Sequence, residues 1–143
     1  MAELSYPFEN QDTTETQYSF LFGALQENGV VGLADDASSL YAAVTGTGMT
    51  TIVYPGLAII RGFLYQNTSN VTLTHDPATA QPRIDIVVLR LDPSANSIVA
   101  AIKKGTAAAS PSAPALTQTT EGVFELPLLQ VLVPANATAL SPG

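Results

Sequence analysis

Few residues in this sequence could carry acid–base or nucleophilic chemistry. His75-Asp76 is the single place where an imidazole and a carboxylate are neighbours along the chain. A serine hydrolase would need such a base beside an activated serine, but the sequence has no G-x-S-x-G motif and no second histidine. Because the pair precedes Pro77, in a loop after a strand, we expect His75 to be a surface residue rather than a catalytic base.

Phosphate and metal binding have equally weak signals. Gly46-Thr47-Gly48 has a faint likeness to a phosphate loop, but it lacks the lysine and the following helix, so we expect a turn between strands. The chain has no cysteine, which excludes thiolate zinc sites and a cysteine nucleophile. We therefore predict no catalytic residues, no cofactor and no metal.

Arg83-Ile84-Asp85 is the charge pattern that most needs an explanation. Arg83 and Asp85 are two residues apart, so they share one face of a strand. The apolar run that follows places them beside the core, where an unpaired charge would be costly. We predict a structural ion pair or network that fixes this strand against the helix, with ligand binding as the alternative.

Composition and charge narrow the class of protein. The 143 residues suit one domain, with 46% apolar and 12% charged residues and a net charge of −7. A nucleic-acid partner is improbable because no basic face is available to neutralise phosphates. No apolar run is long enough for a membrane helix, and the acidic, polar start does not resemble a secretory signal. The acidity serves solubility, or it complements a basic partner at the N-terminal end.

One helix is predicted over residues 13–28. Tyr18, Leu21, Phe22 and Leu25 follow the spacing of an apolar stripe. We expect Asp12 to cap it with Glu15 completing a capping box, and Asn28-Gly29 to end it. The aromatic residues of the helix, Tyr18, Phe20 and Phe22, are expected to pack on the domain core.

The rest of the chain reads as a series of short strands with closely spaced turns. Pro55-Gly56 is a turn dipeptide, and the segment 92–96 is a hairpin connection after a central strand. Pro127 removes an amide donor, so its strand lies at an edge or bends there. This pattern predicts an antiparallel β-sandwich or barrel-like domain after the N-terminal helix. The expected strands are 30–33, 40–44, 49–54, 57–60, 63–65, 71–74, 84–91, 98–102, 123–126 and 128–133.

Three segments lie outside these elements. Residues 1–12 form an extended segment, in which Tyr6 and Phe8 either fold back on the domain or dock into a neighbour. Residues 105–118 are small, apolar and punctuated by Pro111 and Pro114. They form either a connector along their own sheet or an arm packed on a neighbouring copy. Residues 13–138 then make the single β-rich domain, and 139–143 a short C-terminal tail.

The order of these features resembles the N-terminal docking domain of tailed-bacteriophage baseplate and minor tail proteins, of the upper-baseplate and receptor-binding class. The resemblance covers residues 5–138 and lies in an ordered set of segments rather than in one chemical motif. PRIDIVVLRLD at 82–92 is the best match. The other matching segments are TETQYS at 14–19, NGVV at 28–31, GMTTIV at 48–53, GLAIIRG at 56–62, GT at 105–106, Pro111, PAL at 114–116 and LPLLQV at 126–131.

The resemblance implies a virion structural protein at the tail tip or baseplate, made in the host cytoplasm. It implies a homo-oligomer, trimer or hexamer, that contacts other tail proteins. Since the given sequence ends at Gly143 with no fibre or receptor-binding head, we expect an adaptor or docking subunit rather than a receptor-binding one. No catalytic residues carry over from this family.

A host-glycan-binding or capsid decoration module is the alternative function. Glycan binding would use exposed aromatic side chains, although tyrosines at alternating strand positions are commonly packing residues and the chain has no tryptophan. The candidates are Tyr6, Phe8, Tyr41, Tyr54 and Tyr65.

Overall fold

A computed structural model describes Tyr6 and residues 12–32 and 39–141. Strands account for 42% of the described residues and helix for 11%, which confirms the mainly β class with one N-terminal helix. The helix α1 spans Glu15–Leu25. The strands are β1 (Gly29–Val31), β2 (Ala42–Val44), β3 (Thr50–Val53), β4 (Gly56–Ile60), β5 (Phe63–Asn67), β6 (Val71–Thr74), β7 (Arg83–Asp92), β8 (Ser97–Lys103) and β9 (Phe124–Val133).

The strands form three antiparallel sheets of three strands each. Their orders are β1-β4-β5, β2-β3-β6 and β8-β7-β9, and among the described residues the strands do not close into a barrel. The core lies between the sheets, since every sheet contributes buried apolar side chains to one cluster. Its members are Leu40, Ala42, Val53, Ala58, Ile60, Val87, Leu89, Leu91, Val131, Val133 and Leu140.

β7 is the central strand of its sheet, as the apolar run at residues 86–89 predicts. The expected hairpin to β8 runs through a 3-10 turn at Pro93–Ala95 and the left-handed Asn96. β9 is a single edge strand rather than the two predicted segments. Opposite Val87 and Val88 its register shifts between Leu129 and Pro127, so the proline lies at a bulge of an edge strand, where a missing amide donor costs least.

Two turn signals have different outcomes. Gly46-Thr47-Gly48 lies in the β2–β3 connection, as expected. Pro55 bends the chain and Gly56 already belongs to β4, but β3 and β4 lie in different sheets, so the dipeptide does not form a hairpin turn. The predicted strand 40–44 starts only at Ala42 because Leu40 has a positive φ of 53°, which no strand accommodates.

The helix is shorter than the predicted 13–28, and both of its ends differ from the prediction. Thr14 caps it, and the capping box is completed by Gln17 rather than by Asp12 with Glu15. The side-chain hydroxyl of Thr14 reaches the Gln17 amide, while the Gln17 side chain accepts from the Thr14 amide. The chain becomes extended at Gln26, and Gly29 starts β1 instead of ending the helix.

α1 rests on the tight turn between β4 and β5. The Ser19 hydroxyl donates to the Arg61 carbonyl. Gly62 has a φ of 79°, and a Cβ there would collide with the Ser19 carbonyl, so the helix backbone lies directly on the glycine. No residue of α1 is buried. The expectation that Tyr18, Phe20 and Phe22 pack on the core is therefore wrong for the described chain.

Candidate functional site

Arg83 and Asp85 form the ion pair predicted from the sequence, at the start of β7. Both side chains are buried, and the Arg83 Nε donates to the Asp85 Oδ1 over 2.9 Å. A second guanidinium nitrogen reaches Oδ2 at 3.2 Å. Two further guanidinium protons go to the carbonyls of Asp76 (2.6 Å) and Pro77 (2.9 Å), so the pair ties β7 to the loop after β6. The expected docking against the helix is wrong, because the contacts are to this loop.

His75 belongs to the same network and is not a surface residue. It is 2% exposed, which contradicts the surface position predicted for it. Its Nδ1 lies 2.8 Å from the Asp85 Oδ2, and its Nε2 lies 2.8 Å from the Thr51 hydroxyl oxygen. A carboxylate only accepts, so Nδ1 carries the proton toward Asp85, and in the neutral ring Nε2 accepts from Thr51.

The pattern of β6 contains the signal that places His75 inside. Val71 and Leu73 point toward the core, whereas Thr72 and Thr74 are exposed. His75 continues the inward-facing positions one step beyond the strand. The surface position was predicted because Pro77 indicates a loop, although the alternation of β6 indicates an inward-facing side chain at residue 75.

Asp85 is the centre of this buried network. Burial alone would raise the pKa of the Asp85 carboxyl, but hydrogen bonds from His75, Arg83 and the Gly105 amide outweigh it and lower the pKa to about 2. The carboxylate is therefore charged at neutral pH and neutralised by Arg83. It joins β7, the end of β6, and, through Thr51, the strand β3.

Thr51, His75 and Asp85 have the order of groups found in a nucleophile–base–acid triad. Thr51 is 0% exposed and Asp85 is 0% exposed, so the hydroxyl that would act as nucleophile faces protein rather than a cleft. All buried side-chain nitrogen and oxygen atoms among the described residues have hydrogen-bond partners. The geometry therefore supports a structural crosslink between two sheets.

A second polar network was not foreseen from the sequence. Glu125 on β9 is 2% exposed and receives the Lys103 ammonium, whose nitrogen also donates to the Thr117 hydroxyl at 2.9 Å. The Thr117 amide donates to Glu125 Oε2 at 2.7 Å. Burial raises the pKa of Glu125, but these donors lower it below its ordinary value overall. Residues 103, 117 and 125 are far apart in the sequence, and no motif around any of them indicates that the fold brings them together.

The segment 105–118 runs along its own sheet at both ends. The Gly105 amide binds Asp85 Oδ1, and the Ala108 amide donates to the Pro82 carbonyl at 3.0 Å. At the other end, the Thr117 amide donates to the Glu125 carboxylate and the Glu125 amide donates to the Thr117 carbonyl. Pro111 and Pro114, the candidate interface residues, are half-buried between these ends. This arrangement favours the connector over the arm.

Exposed apolar side chains concentrate on α1. The larger ones are Tyr18, Phe20, Phe22 and Leu25, with Tyr18 and Phe22 stacked at a centroid distance of 6.3 Å. A groove of about 430 Å³ lies between the helix and β4–β5. Its lining residues are Glu15, Tyr18, Ser19, Phe22, Ile59, Gly62, Phe63 and Leu64.

Tyr41 and Tyr54 form a second exposed aromatic feature. Their rings stack with centroids 5.9 Å apart and an interplanar angle of 27°, and both are exposed. Tyr41 also lines a cleft of about 590 Å³ between β2 and β9, together with Gln130 and Ser141. Tyr65, another aromatic candidate, is half-buried against the core, and burial raises its pKa.

The remaining predicted site residues lie at the N-terminus. Tyr6 is half-buried, and Phe8 lies outside the described residues. Among the described residues, no group of three or more histidine or acidic side chains is placed to hold a metal ion. Over the same ranges, no helix is long and apolar enough to cross a membrane.

The comparisons with known proteins return no relatives. No protein-family model matches the chain, and neither a curated protein nor a solved structure is significantly similar to it.

Proposed function

We propose that this protein is a structural subunit of a phage tail or baseplate, acting as an oligomeric docking or adaptor component. The observation that carries the docking role is the exposed apolar surface of α1. A helix with apolar side chains around much of its circumference is normally buried. Here Tyr18, Phe22 and Leu25 remain exposed in the isolated chain, so a partner surface completes the fold.

The assignment to a phage tail is supported by the ordered segments of the sequence. The best-matching segment, residues 82–92, forms the central strand β7. Its Arg83 and Asp85 are buried in the network that crosslinks the sheets. These residues act in folding, so their likeness to tail docking domains supports a shared scaffold rather than a shared binding surface.

The location of the protein in a purified virion tests this function. The tail is separated from the capsid, and both fractions are analysed by quantitative mass spectrometry and by antibody labelling in electron micrographs. We expect the protein in the tail fraction, with label at the tail tip, in a copy number that is a multiple of three. Recovery with the capsid would instead support a decoration role, and absence from both fractions would refute a virion protein.

Host-glycan binding is a second candidate, which the Tyr41–Tyr54 stack favours. Exposed, nearly parallel tyrosine rings present flat apolar faces of the kind that pack on sugar rings. The cleft beside Tyr41 offers the amide of Gln130 and the hydroxyl of Ser141 as polar groups. A glycan array with the Tyr54→Ala variant as control tests this function. Signal that the variant loses would support it, and uniform silence of the wild type would exclude it.

A further inference from the structure

The exposed apolar side chains of α1 continue onto the neighbouring sheet. Ile59 and Leu64 are directly opposite each other in the β4–β5 pair, so they share a face. Ala58 and Ile60, the neighbours of Ile59, are fully buried in the core. Ile59 and Leu64 therefore point away from the core, toward the groove beside Tyr18 and Phe22. We call Tyr18, Phe22, Leu25, Ile59 and Leu64 the helix–sheet face.

The helix–sheet face is large enough for an interface between copies. With fully exposed aromatic side chains at 150–250 Å², its residues expose about 500 Å² of apolar surface per chain. Two such faces, fully covered, would bury about 1,000 Å², which is the least that a specific contact between proteins requires. A polar rim of about 200 Å² or more around the face would bring the contact to the size of a stable interface.

The charge distribution favours a second copy as the occupant. Each chain has a net charge of −7, so two copies repel unless they meet through a surface poor in charge. Within the part of the chain that the structure describes, Glu15 is the only charged residue that lines the groove. The face offers no cationic or strongly anionic pattern that would select a charged partner, whereas it matches an identical apolar face.

We propose that the helix–sheet face is the surface through which copies of this chain associate. The inference rests on the oligomeric role proposed above and names the surface that would perform it. It requires that burial of Leu64 and its neighbours, and not contacts elsewhere on the chain, drives the association.

Two exposed leucines on edge strands provide a matched pair of variants. Leu64 on β5 is 63% exposed within the face, and Leu132 on β9 is 58% exposed outside it. Sedimentation equilibrium is measured for the wild type, Leu64→Glu and Leu132→Glu, and circular dichroism checks that each variant folds. We expect an oligomeric wild type, association of Leu64→Glu weakened by about 30-fold or more, and Leu132→Glu within about 3-fold of the wild type.

The outcomes separate this inference from the proposed function. An oligomeric wild type whose association is not weakened by Leu64→Glu would overturn the helix–sheet face while leaving the oligomeric role intact. A wild type that stays monomeric at micromolar concentration would overturn both the helix–sheet face and the oligomeric role. Occupation of the face by a different protein or by another segment of the same chain would overturn this inference alone.

A labelling measurement keeps the inference testable if Leu64→Glu does not fold. Because the chain has no cysteine, Leu64→Cys and Leu132→Cys each introduce a unique thiol. In the oligomer we expect maleimide to label Leu132→Cys at least about 10-fold faster than Leu64→Cys, the factor that corresponds to about 1.4 kcal/mol of protection. Equal labelling rates in the oligomer would overturn the proposal.

Discussion

Removal of the Asp85 carboxylate tests the buried network most severely. In the Asp85→Ala variant, the Arg83 guanidinium stays 1% exposed but loses both bonds to the carboxylate. The His75 Nδ1 and the Gly105 amide lose their acceptor as well. Only the carbonyls of Asp76 and Pro77 still accept from Arg83, so a cation would remain in the interior without a counter-charge.

The expected loss is a large part of the stability of the domain. Breaking a buried ion pair by removing one partner costs about 3–5 kcal/mol, against a total of about 5–15 kcal/mol for a typical domain. For a chain of this size, that loss lowers the melting temperature by about 10–20 °C. Glu121→Ala is the control, because Glu121 is exposed and a surface substitution changes stability by less than about 0.5 kcal/mol.

Differential scanning calorimetry of the two variants measures the effect. A double variant, Arg83→Met with Asp85→Ala, removes the uncompensated charge, and we expect it to melt above Asp85→Ala. Its loss of the bonds to Asp76 and Pro77 is tolerable, since both residues are exposed and water can replace the guanidinium. Equal melting temperatures for Asp85→Ala and Glu121→Ala would refute the reasoning that this pair is dry and holds the sheets together.

Three further results are expected. The stabilisation from Asp85 is fully present above the ordinary carboxyl pKa of 3.8 and is lost as the pH falls toward about 2. Urea unfolding of the wild type should therefore show a free energy of unfolding that falls by about 2 kcal/mol over this range, a loss that the Asp85→Ala variant lacks. Identical pH profiles for the two proteins would contradict this. Gly62→Ala should lower the free energy of unfolding by about 1–3 kcal/mol and detach α1, because the φ of Gly62 is 79° and the new Cβ meets the Ser19 carbonyl. Gly29→Ala is the control in thermal melts, and it should leave stability and α1 unchanged because nothing lies within 4 Å of its Cβ position. Glu125→Gln should speed proteolysis within residues 105–118, because it releases the Lys103 ammonium that anchors this segment. The melting temperature should fall by no more than about 5 °C. An unchanged cleavage rate would show that the anchor lies elsewhere.

Alternation and turn chemistry were sufficient to predict most of the strands. β7 follows from its apolar run at residues 86–89, and its hairpin follows from the turn residues that begin at Asp92-Pro93. The irregularity at Pro127 follows from its missing amide. The ion pair of Arg83 with Asp85 follows from their shared strand face and their apolar neighbours. In each case the signal lies within a few residues of the feature that it predicts.

The errors arise where distant segments decide the structure. His75 was predicted at the surface because Pro77 indicated a loop and no neighbouring residue showed a partner for a buried imidazole. That partner is Asp85, ten residues later, which the fold brings to the imidazole. The Lys103–Glu125 pair depends on the path of the connector between them. The packing of α1 was predicted wrongly because an apolar stripe indicates that a helix face is buried, but not whether its own domain or another surface covers it.

Whether the protein is a component of a virion, and where in the particle it lies, tests the proposed function most directly. Electron cryomicroscopy of intact particles, with the domain fitted as a rigid body, would show both the location and the contacts of α1. We expect density for this domain in a symmetric ring at the tail tip, with the helix–sheet face against a second copy. Density for the domain on the capsid, or at the tail with α1 facing solvent, would contradict it.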